Sequence, residues 1–232
     1  MRVLVTRPEQ DAKRTAKRLK VLGHEAVIDP VLAIEPVPFE AIQNAPDAIA
    51  ITSANAVRVL GKEELVSLVS CPLFAVGSQS AEAARDAGFP NVVACGGDAR
   101  ALAATLSDEL RGGARVLYLA GEDRAQDLAA LAAGEGIAVE TKVVYRAVAA
   151  TRLRQETLAR LREGELDAVL HYSRRSADIF LALVNKENLG DAARGAAHLC
   201  FSEAVAAALQ SAGFNVKIAA RPNEDALFAL LR

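Results

Sequence analysis

Apolar residues fall along this chain in two alternating rhythms. Short runs rich in Val, Ile, Leu and Ala occupy 3–6, 25–29, 47–52, 73–77, 91–95, 115–120, 138–145, 167–172, 198–201 and 216–220. Short apolar runs bounded by polar turns are the pattern of strands buried on both faces. Between them, 9–22, 54–61, 78–87, 99–110, 125–134, 152–163, 175–184 and 203–212 space their apolar residues three or four apart, which predicts amphipathic helices. Strand and helix in alternation predict an α/β protein with parallel sheets.

The pattern also repeats. Arg2-Val3-Leu4-Val5 aligns with Arg115-Val116-Leu117-Tyr118, 113 positions on. Asp47-Ala48-Ile49-Ala50-Ile51-Thr52-Ser53 aligns with Asp167-Ala168-Val169-Leu170-His171-Tyr172-Ser173, and Ala87-Gly88-Phe89 with Ala212-Gly213-Phe214. The offset drifts with loop length, as in an internal duplication. Two copies of five strands predict two flavodoxin-like parallel sheets with a cleft between them. After the second strand of each copy comes an extended apolar piece, Pro30–Pro36 and Val143–Val148. Neither has a helical rhythm, so the two are expected to pair as a two-stranded linker.

Composition narrows the function. Hydrophobic residues make up 52% and charged residues 24%, which excludes disorder. With 27 basic against 29 acidic residues, a dedicated nucleic-acid binder is not expected. No run of about 18 apolar residues spans a membrane, and the first residues do not read as a secretion signal, so a cytoplasmic protein is expected. No exposed apolar stripe stands out, which predicts a monomer. The chain lacks GxGxxG, GxxxxGK[ST] and HExxH motifs, so neither those nucleotide loops nor that metal site is supported. His24, His171 and His198 read as isolated, and Cys71, Cys95 and Cys200 as reduced thiols at unmatched positions in the two copies.

The chemistry concentrates where strands end. Thr52-Ser53-Ala54-Asn55 ends one strand and opens a helix, and Tyr172-Ser173-Arg174-Arg175-Ser176 does so in the other copy. Thr6-Arg7, Gly77-Ser78-Gln79, Gly121 with Arg124, and Ser202-Glu203 follow other strands. Ligands of doubly wound folds bind outside these carboxyl ends, where helix N-termini favour anions. Each Ser, Thr or Asn alone also reads as an ordinary N-cap. Taken with Arg7, Arg124, Arg174 and Arg175, the turns point to a carboxylate-rich or phosphorylated ligand.

Val3-Leu4-Val5-Thr6-Arg7-Pro8, Thr52-Ser53-Ala54-Asn55-Ala56-Val57, Ala75-Val76-Gly77 and Val144-Tyr145, in this order on a duplicated frame, resemble the uroporphyrinogen-III synthase family. The resemblance implies a discontinuous first domain, 1–35 with 149–232, a second domain over 36–148, and linker strands at about 30–37 and 142–149. It implies a cofactor-independent lyase that cyclises hydroxymethylbilane to uroporphyrinogen III, inverting ring D and losing water. It also implies hand-over of this linear tetrapyrrole from the preceding enzyme. Tyr145 matches the family tyrosine that faces the substrate and is the candidate general acid. Arg7, Thr52, Ser53, Asn55, Gly77, Ser78, Gln79, Gly121, Arg124, Tyr172, Ser173, Arg174, Arg175, Ser176 and Ser202 are the candidate substrate contacts. Glu203 departs from the family pattern and is expected to point outward or to pair with an arginine. Three rival readings share parts of the pattern: a cleft-type binding protein, a two-thiol racemase and an inactive relative.

Overall fold

The structure is a computed structural model that describes residues 1–42, 44–124, 126–134 and 136–231. The chain begins with β1 (Arg2–Val5), α1 (Glu9–Val21), β2 (Glu25–Ile28) and β3 (Leu32–Pro36). Next come β4 (Ala48–Ile51), α2 (Ala54–Arg58), α3 (Lys62–Leu68), β5 (Leu73–Val76), α4 (Ser78–Asp86), β6 (Val92–Cys95) and α5 (Ala99–Glu109). They are followed by β7 (Arg115–Gly121), α6 (Leu128–Ala133), β8 (Ala138–Ala149), α7 (Gln155–Arg162), β9 (Ala168–His171), α8 (Arg174–Lys186) and α9 (Gly190–Arg194). The last elements are β10 (Ala197–Cys200), α10 (Glu203–Ser211), β11 (Val216–Ile218) and α11 (Glu224–Phe228).

The chain folds as two compact units, Met1–Ala33 with Val148–Arg232, and Ile34–Ala147. The first unit holds a five-stranded sheet ordered β11-β10-β9-β1-β2, parallel throughout. In chain order this is 2-1-3-4-5, the flavodoxin-like winding. The second sheet is ordered β3-β8-β7-β4-β5-β6. Its strands β8 to β6 are parallel and form the same winding entered at a different strand. The α/β class predicted from the pattern is therefore the observed one.

The repeat survives in detail. Asp167 accepts the Arg2 backbone N–H at 2.5 Å, and Asp47 accepts that of Arg115 at 2.8 Å. In both units an Asp before the central strand pins the neighbouring strand at the equivalent arginine.

Helices cover both faces of each sheet. In the second unit, Ile49, Ile51, Leu117 and Leu119 pack on the side of α2 and α4, while Ala48, Ala50, Tyr118 and Ala120 pack with α5 and α6 residues. All four residues of β4 are buried, the near-continuous apolar run that a doubly covered strand requires. In the first unit Leu4 and Val169 join one core, with α8 and α10, and Val3, Val5 and Leu170 the other, with α1 and α11. Helix α1 buries Ala12, Thr15 and Leu19, one stripe at helical spacing.

Three departures have local causes. The expected strand at 138–145 and the extended piece after it form one twelve-residue strand, β8, that continues through Tyr145. It pairs with β3; Val37 N–H reaches Val144 O and Ala150 N–H reaches Val31 O, each at 2.9 Å, so the two run antiparallel. The expected helix at 125–134 is shorter, Leu128–Ala133 capped by Asp127, and Ala125 lies outside the described residues. Helices α3, α9 and α11 have five to seven residues, too few turns to register as a period.

Candidate active site

The carboxyl ends of β4, β5 and β7 enclose a hollow of about 460 Å³. Thr52, Ser53, Val76, Gly97, Asp98, Tyr118, Gly121, Asp123, Arg124 and Tyr145 are among its lining residues. Ser53 caps α2 by accepting the Asn55 N–H at 3.2 Å. The same hydroxyl lies beside the Tyr145 phenol and acts to lower its pKa. Thr52 Oγ1 lies 2.9 Å from the Tyr118 phenol oxygen.

Tyr145 reaches the hollow because β7 leaves room for it. The two strands pair through Gly121 and Tyr145, where the register shifts. A Cβ at Gly121 would stand 2.7 Å from Tyr145 Cζ and 2.8 Å from its hydroxyl. Only glycine lets the ring lie this close to the strand. Burial pushes the Tyr145 phenol above its ordinary pKa, against the influence of the nearby Ser53 hydroxyl, and the charge of Asp123 acts in the same direction as burial. Tyr145 therefore carries its proton at neutral pH.

The hollow is not uniformly basic. Arg124 donates to Gly121 O at 3.2 Å, keeping its guanidinium at the rim. Asp98 caps α5 by accepting from Arg100 and Ala101, and these backbone bonds hold its carboxyl below the usual range. With Asp98 and Asp123 present, the site offers acceptors as well as donors. Gly77, at φ 76°, makes the left-handed turn into α4 and leaves the helix start without a side-chain cap; Ser78 and Gln79 are exposed there. Asn55 lies in the first turn of α2 and is half-buried.

The matching ends in the first unit are arranged differently. Arg7, 12% exposed, meets Glu224 at 3.1 Å and Asp11 at 3.6 Å and stacks 4.2 Å over the Tyr172 ring. Glu224 also accepts from Thr15 at 2.6 Å, Arg18 at 2.6 Å and Tyr172 at 3.0 Å. Burial alone would raise the Glu224 carboxyl; these hydrogen bonds and the Arg7 charge outweigh it and lower the pKa. Tyr172 is raised, by burial first and by Glu224 second. Arg7 and Tyr172 thus face a carboxylate of the chain itself. Ser173 caps α8 through the Ser176 N–H, and the two hydroxyls bond each other at 2.8 Å. Arg174 is exposed and pairs with Asp178 at 3.7 Å, and Arg175 is exposed. Ser202 precedes α10 without a side-chain cap bond, and Glu203 is exposed in its first turn.

His171 and His198 are not isolated. They are stacked on adjacent strands, with His171 Nε2 3.0 Å from His198 Nδ1 and His198 Nε2 2.9 Å from Ala193 O. A carbonyl only accepts, so His198 carries its proton on Nε2 and His171 donates from Nε2. His171 Nδ1 is then a buried acceptor with no partner. Burial lowers both, His198 to about 4 and His171 well below its ordinary value. All three thiols are buried and raised by burial, Cys200 to about 12, which removes the environment a racemase nucleophile needs. Among the described residues no cluster of His, Cys, Asp or Glu could hold a metal ion, and no helix is long and apolar enough to cross a membrane.

Comparison with known proteins decides the family. A family model described as uroporphyrinogen-III synthase HemD matches residues 13–229, nearly the whole chain.

The chain belongs to the uroporphyrinogen-III synthase family.

Members of the uroporphyrinogen-III synthase family are cofactor-independent cyclising lyases of tetrapyrrole biosynthesis. Among solved structures, a uroporphyrinogen-III synthetase from Helicobacter pylori is 18% identical with a TM-score of 0.65, covering 100% of this chain and 98% of that one. A mutant uroporphyrinogen III synthase from Thermus thermophilus is 21% identical with a TM-score of 0.49, covering 100% and 98%. The first of these likenesses carries the uroporphyrinogen-III synthase fold. No curated protein matches the chain. Sequence reasoning missed Tyr118, Asp98, Asp123 and Glu224. The two aspartates were legible as helix caps or turn residues; Tyr118 sits inside an apolar run and Glu224 in a helix too short to show a period.

Proposed function

We propose that the family reaction, closure of hydroxymethylbilane to uroporphyrinogen III with inversion of ring D and loss of water, uses the hollow of the second unit, with Tyr145 as the general acid. The observation that carries this reading is the Tyr145 phenol, lying against Gly121 and beside Ser53 at the wall of the hollow. At neutral pH the phenol holds its proton, as a donor to the departing oxygen must.

The electron flow follows. The C–O bond of the hydroxymethyl group breaks as the pyrrole nitrogen supplies electrons to the carbon. The Tyr145 proton goes to the departing oxygen, which leaves as water. The cationic methylene is attacked by the substituted carbon of ring D, giving a spirocycle that rearranges. A ring proton is finally lost and restores the phenol. Because the unassisted substrate closes to the uninverted isomer, holding one conformation is the larger contribution.

Substrate carboxylates would be held in the second unit by Thr52, Ser53, Asn55, the Gly77-Ser78-Gln79 turn, Gly121 N–H and Arg124. The Ser173-Arg174-Arg175 turn and Ser202 are the first unit's own strand ends and are likewise suited to carboxylates. Asp98 and Asp123 are suited to accept from pyrrole N–H groups. Arg7, Tyr172 and Ser176 would act indirectly, through the partners they already have. The two units would be the domains, with β3 and the end of β8 as the linker.

The chain would act as a cytoplasmic monomer that takes its reactive substrate from the preceding enzyme. Large exposed apolar side chains are few among the described residues, Met1, Val21, Leu22, Val66 and Val93, and only Val21 and Leu22 are adjacent, which supports the monomer. Spontaneous closure of the linear tetrapyrrole supports the hand-over.

The test is isomer analysis. Hydroxymethylbilane is generated in place, the product oxidised, and type I separated from type III uroporphyrin. Mostly type III is expected from the wild type, and roughly 100-fold slower type III formation from Tyr145→Phe, a partial loss because positioning remains. Type I alone from the wild type would overturn the function. Wild-type rates in Tyr145→Phe would overturn the acid.

A further inference from the structure

We propose that Tyr118 is a positioning residue for ring closure: with Thr52 it forms a second phenol–hydroxyl pair that fixes the Thr52–Ser53 turn and, through Ser53, the Tyr145 phenol. The inference rests on the reading of Tyr145 given above.

Tyr118 is 2% exposed and lies opposite Ala50 in the β4–β7 ladder. Its neighbours on that face include Ala48, Ala50 and Ala120, which ask for bulk and not for a hydroxyl. A buried phenol O–H needs a partner, and Thr52 Oγ1 supplies one at 2.9 Å. Thr52 and Ser53 are consecutive residues leaving β4, and successive side chains in extended chain point to opposite faces. Thr52 therefore meets the phenol rising from the α5 and α6 side, and Ser53 meets the one on the α2 and α4 side. One turn carries the partners of both tyrosines, and both tyrosines line the same hollow.

Losing the Tyr118 hydroxyl would release Thr52, let the turn shift and move Ser53 relative to the Tyr145 phenol beside it. Phenylalanine would fill the same core space. The effect belongs chiefly on the chemical step, because the phenol that gives up the proton is displaced while Arg124 and the other carboxylate contacts stay in place.

Four proteins test the idea: wild type, Tyr118→Phe, Tyr145→Phe and the double variant, each assayed for kcat, KM, isomer ratio and melting temperature. About a fivefold fall in kcat is expected for Tyr118→Phe, the scale of one neutral hydrogen bond, with KM nearly unchanged and more type I product. In the Tyr145→Phe background the same substitution should do nothing further, the signature of two groups acting as one. Thr52→Val should show the same fall in kcat and isomer shift, with a higher KM added because Thr52 also contacts a substrate carboxylate. Unchanged kcat and isomer ratio in Tyr118→Phe would overturn the proposal, and so would the same fold-loss in both backgrounds. A silent Tyr145→Phe single variant would mark failure of the acid reading, which is thereby seen separately.

Discussion

The two units share one frame and use its functional end in opposite ways. Both wind a five-strand parallel sheet, and both pin the central strands with an equivalent aspartate, Asp167 or Asp47. At the carboxyl ends they part. Where the second unit has Thr52 after β4, the first has Tyr172 after β9, and it is bonded to Glu224. Where β7 runs on through Leu119 and Ala120 to Gly121, β1 stops before Thr6 and Arg7, and Arg7 is held by Glu224 and Asp11. The first unit has balanced its charge internally. The second leaves a hollow walled by two phenols, two carboxylates and an arginine. A duplicated frame thus holds one half that is closed by its own ion pairs and another whose polar groups face a space.

The comparison can be broken from either side. The largest effect is expected at Glu224. Glu224→Gln leaves Arg7 and Arg18 without their shared carboxylate, and breaking so buried a pair should cost about 3 kcal/mol, read as a lower urea midpoint with unchanged slope. A midpoint equal to wild type would show that the network is not structural.

Next is Gly121→Ala. Its Cβ would stand 2.7 Å from the Tyr145 ring, so the phenol must move by about 1 Å, and a roughly 100-fold loss in kcat is expected while the fold persists. An alanine variant with wild-type kcat would mean that the phenol's place does not matter.

The third concerns acid, and should be confined to the first unit. His198 titrates near 4 in the folded chain against about 6.5 unfolded, and His171 is also lowered well below its ordinary value. The unfolded state binds more protons over this window, so stability is full above about pH 7 and falls as pH drops through 6.5 toward 4. His198 alone should remove roughly 2 kcal/mol by pH 5. Because Glu224 is lowered, its contribution holds above its unfolded value and is lost only as pH falls through its folded pKa, at more acid values. Hydrogen exchange at pH 5 should show β9 and β10 opening before β4 and β7. Equal opening in both sheets would contradict the assignment to the histidine pair.

Most of the sheet architecture was legible because buried parallel strands leave apolar runs that need no partner to be seen. The caps Ser53 and Ser173 were legible for the same local reason: an N-cap is written within four residues. What escaped was long-range. Glu224 is 217 positions from Arg7, and nothing in either segment names the other. His171 and His198 look solitary at 27 positions apart and touch only because β9 and β10 are neighbours. Tyr118 reads as core, and its hydroxyl gains meaning only from the ladder that sets it near Thr52. Tyr145 was reached through resemblance. The glycine that makes room for it, Gly121, was named for its turn and not for the close approach that requires it.

One paired measurement tests the division of labour most directly: the rate of type III formation and the melting temperature of Tyr145→Phe and Thr15→Val, side by side. Thr15 is buried in the Glu224 network and valine keeps its shape. The account predicts that Tyr145→Phe forms type III roughly 100-fold more slowly with an almost unchanged melting temperature. Thr15→Val should melt several degrees lower, as loss of a charge-assisted hydrogen bond of about 1.5 kcal/mol implies, yet form type III at the wild-type rate. The reverse pattern, an unimpaired Tyr145→Phe beside a stable but inactive Thr15→Val, would place the chemistry in the first unit and contradict the account.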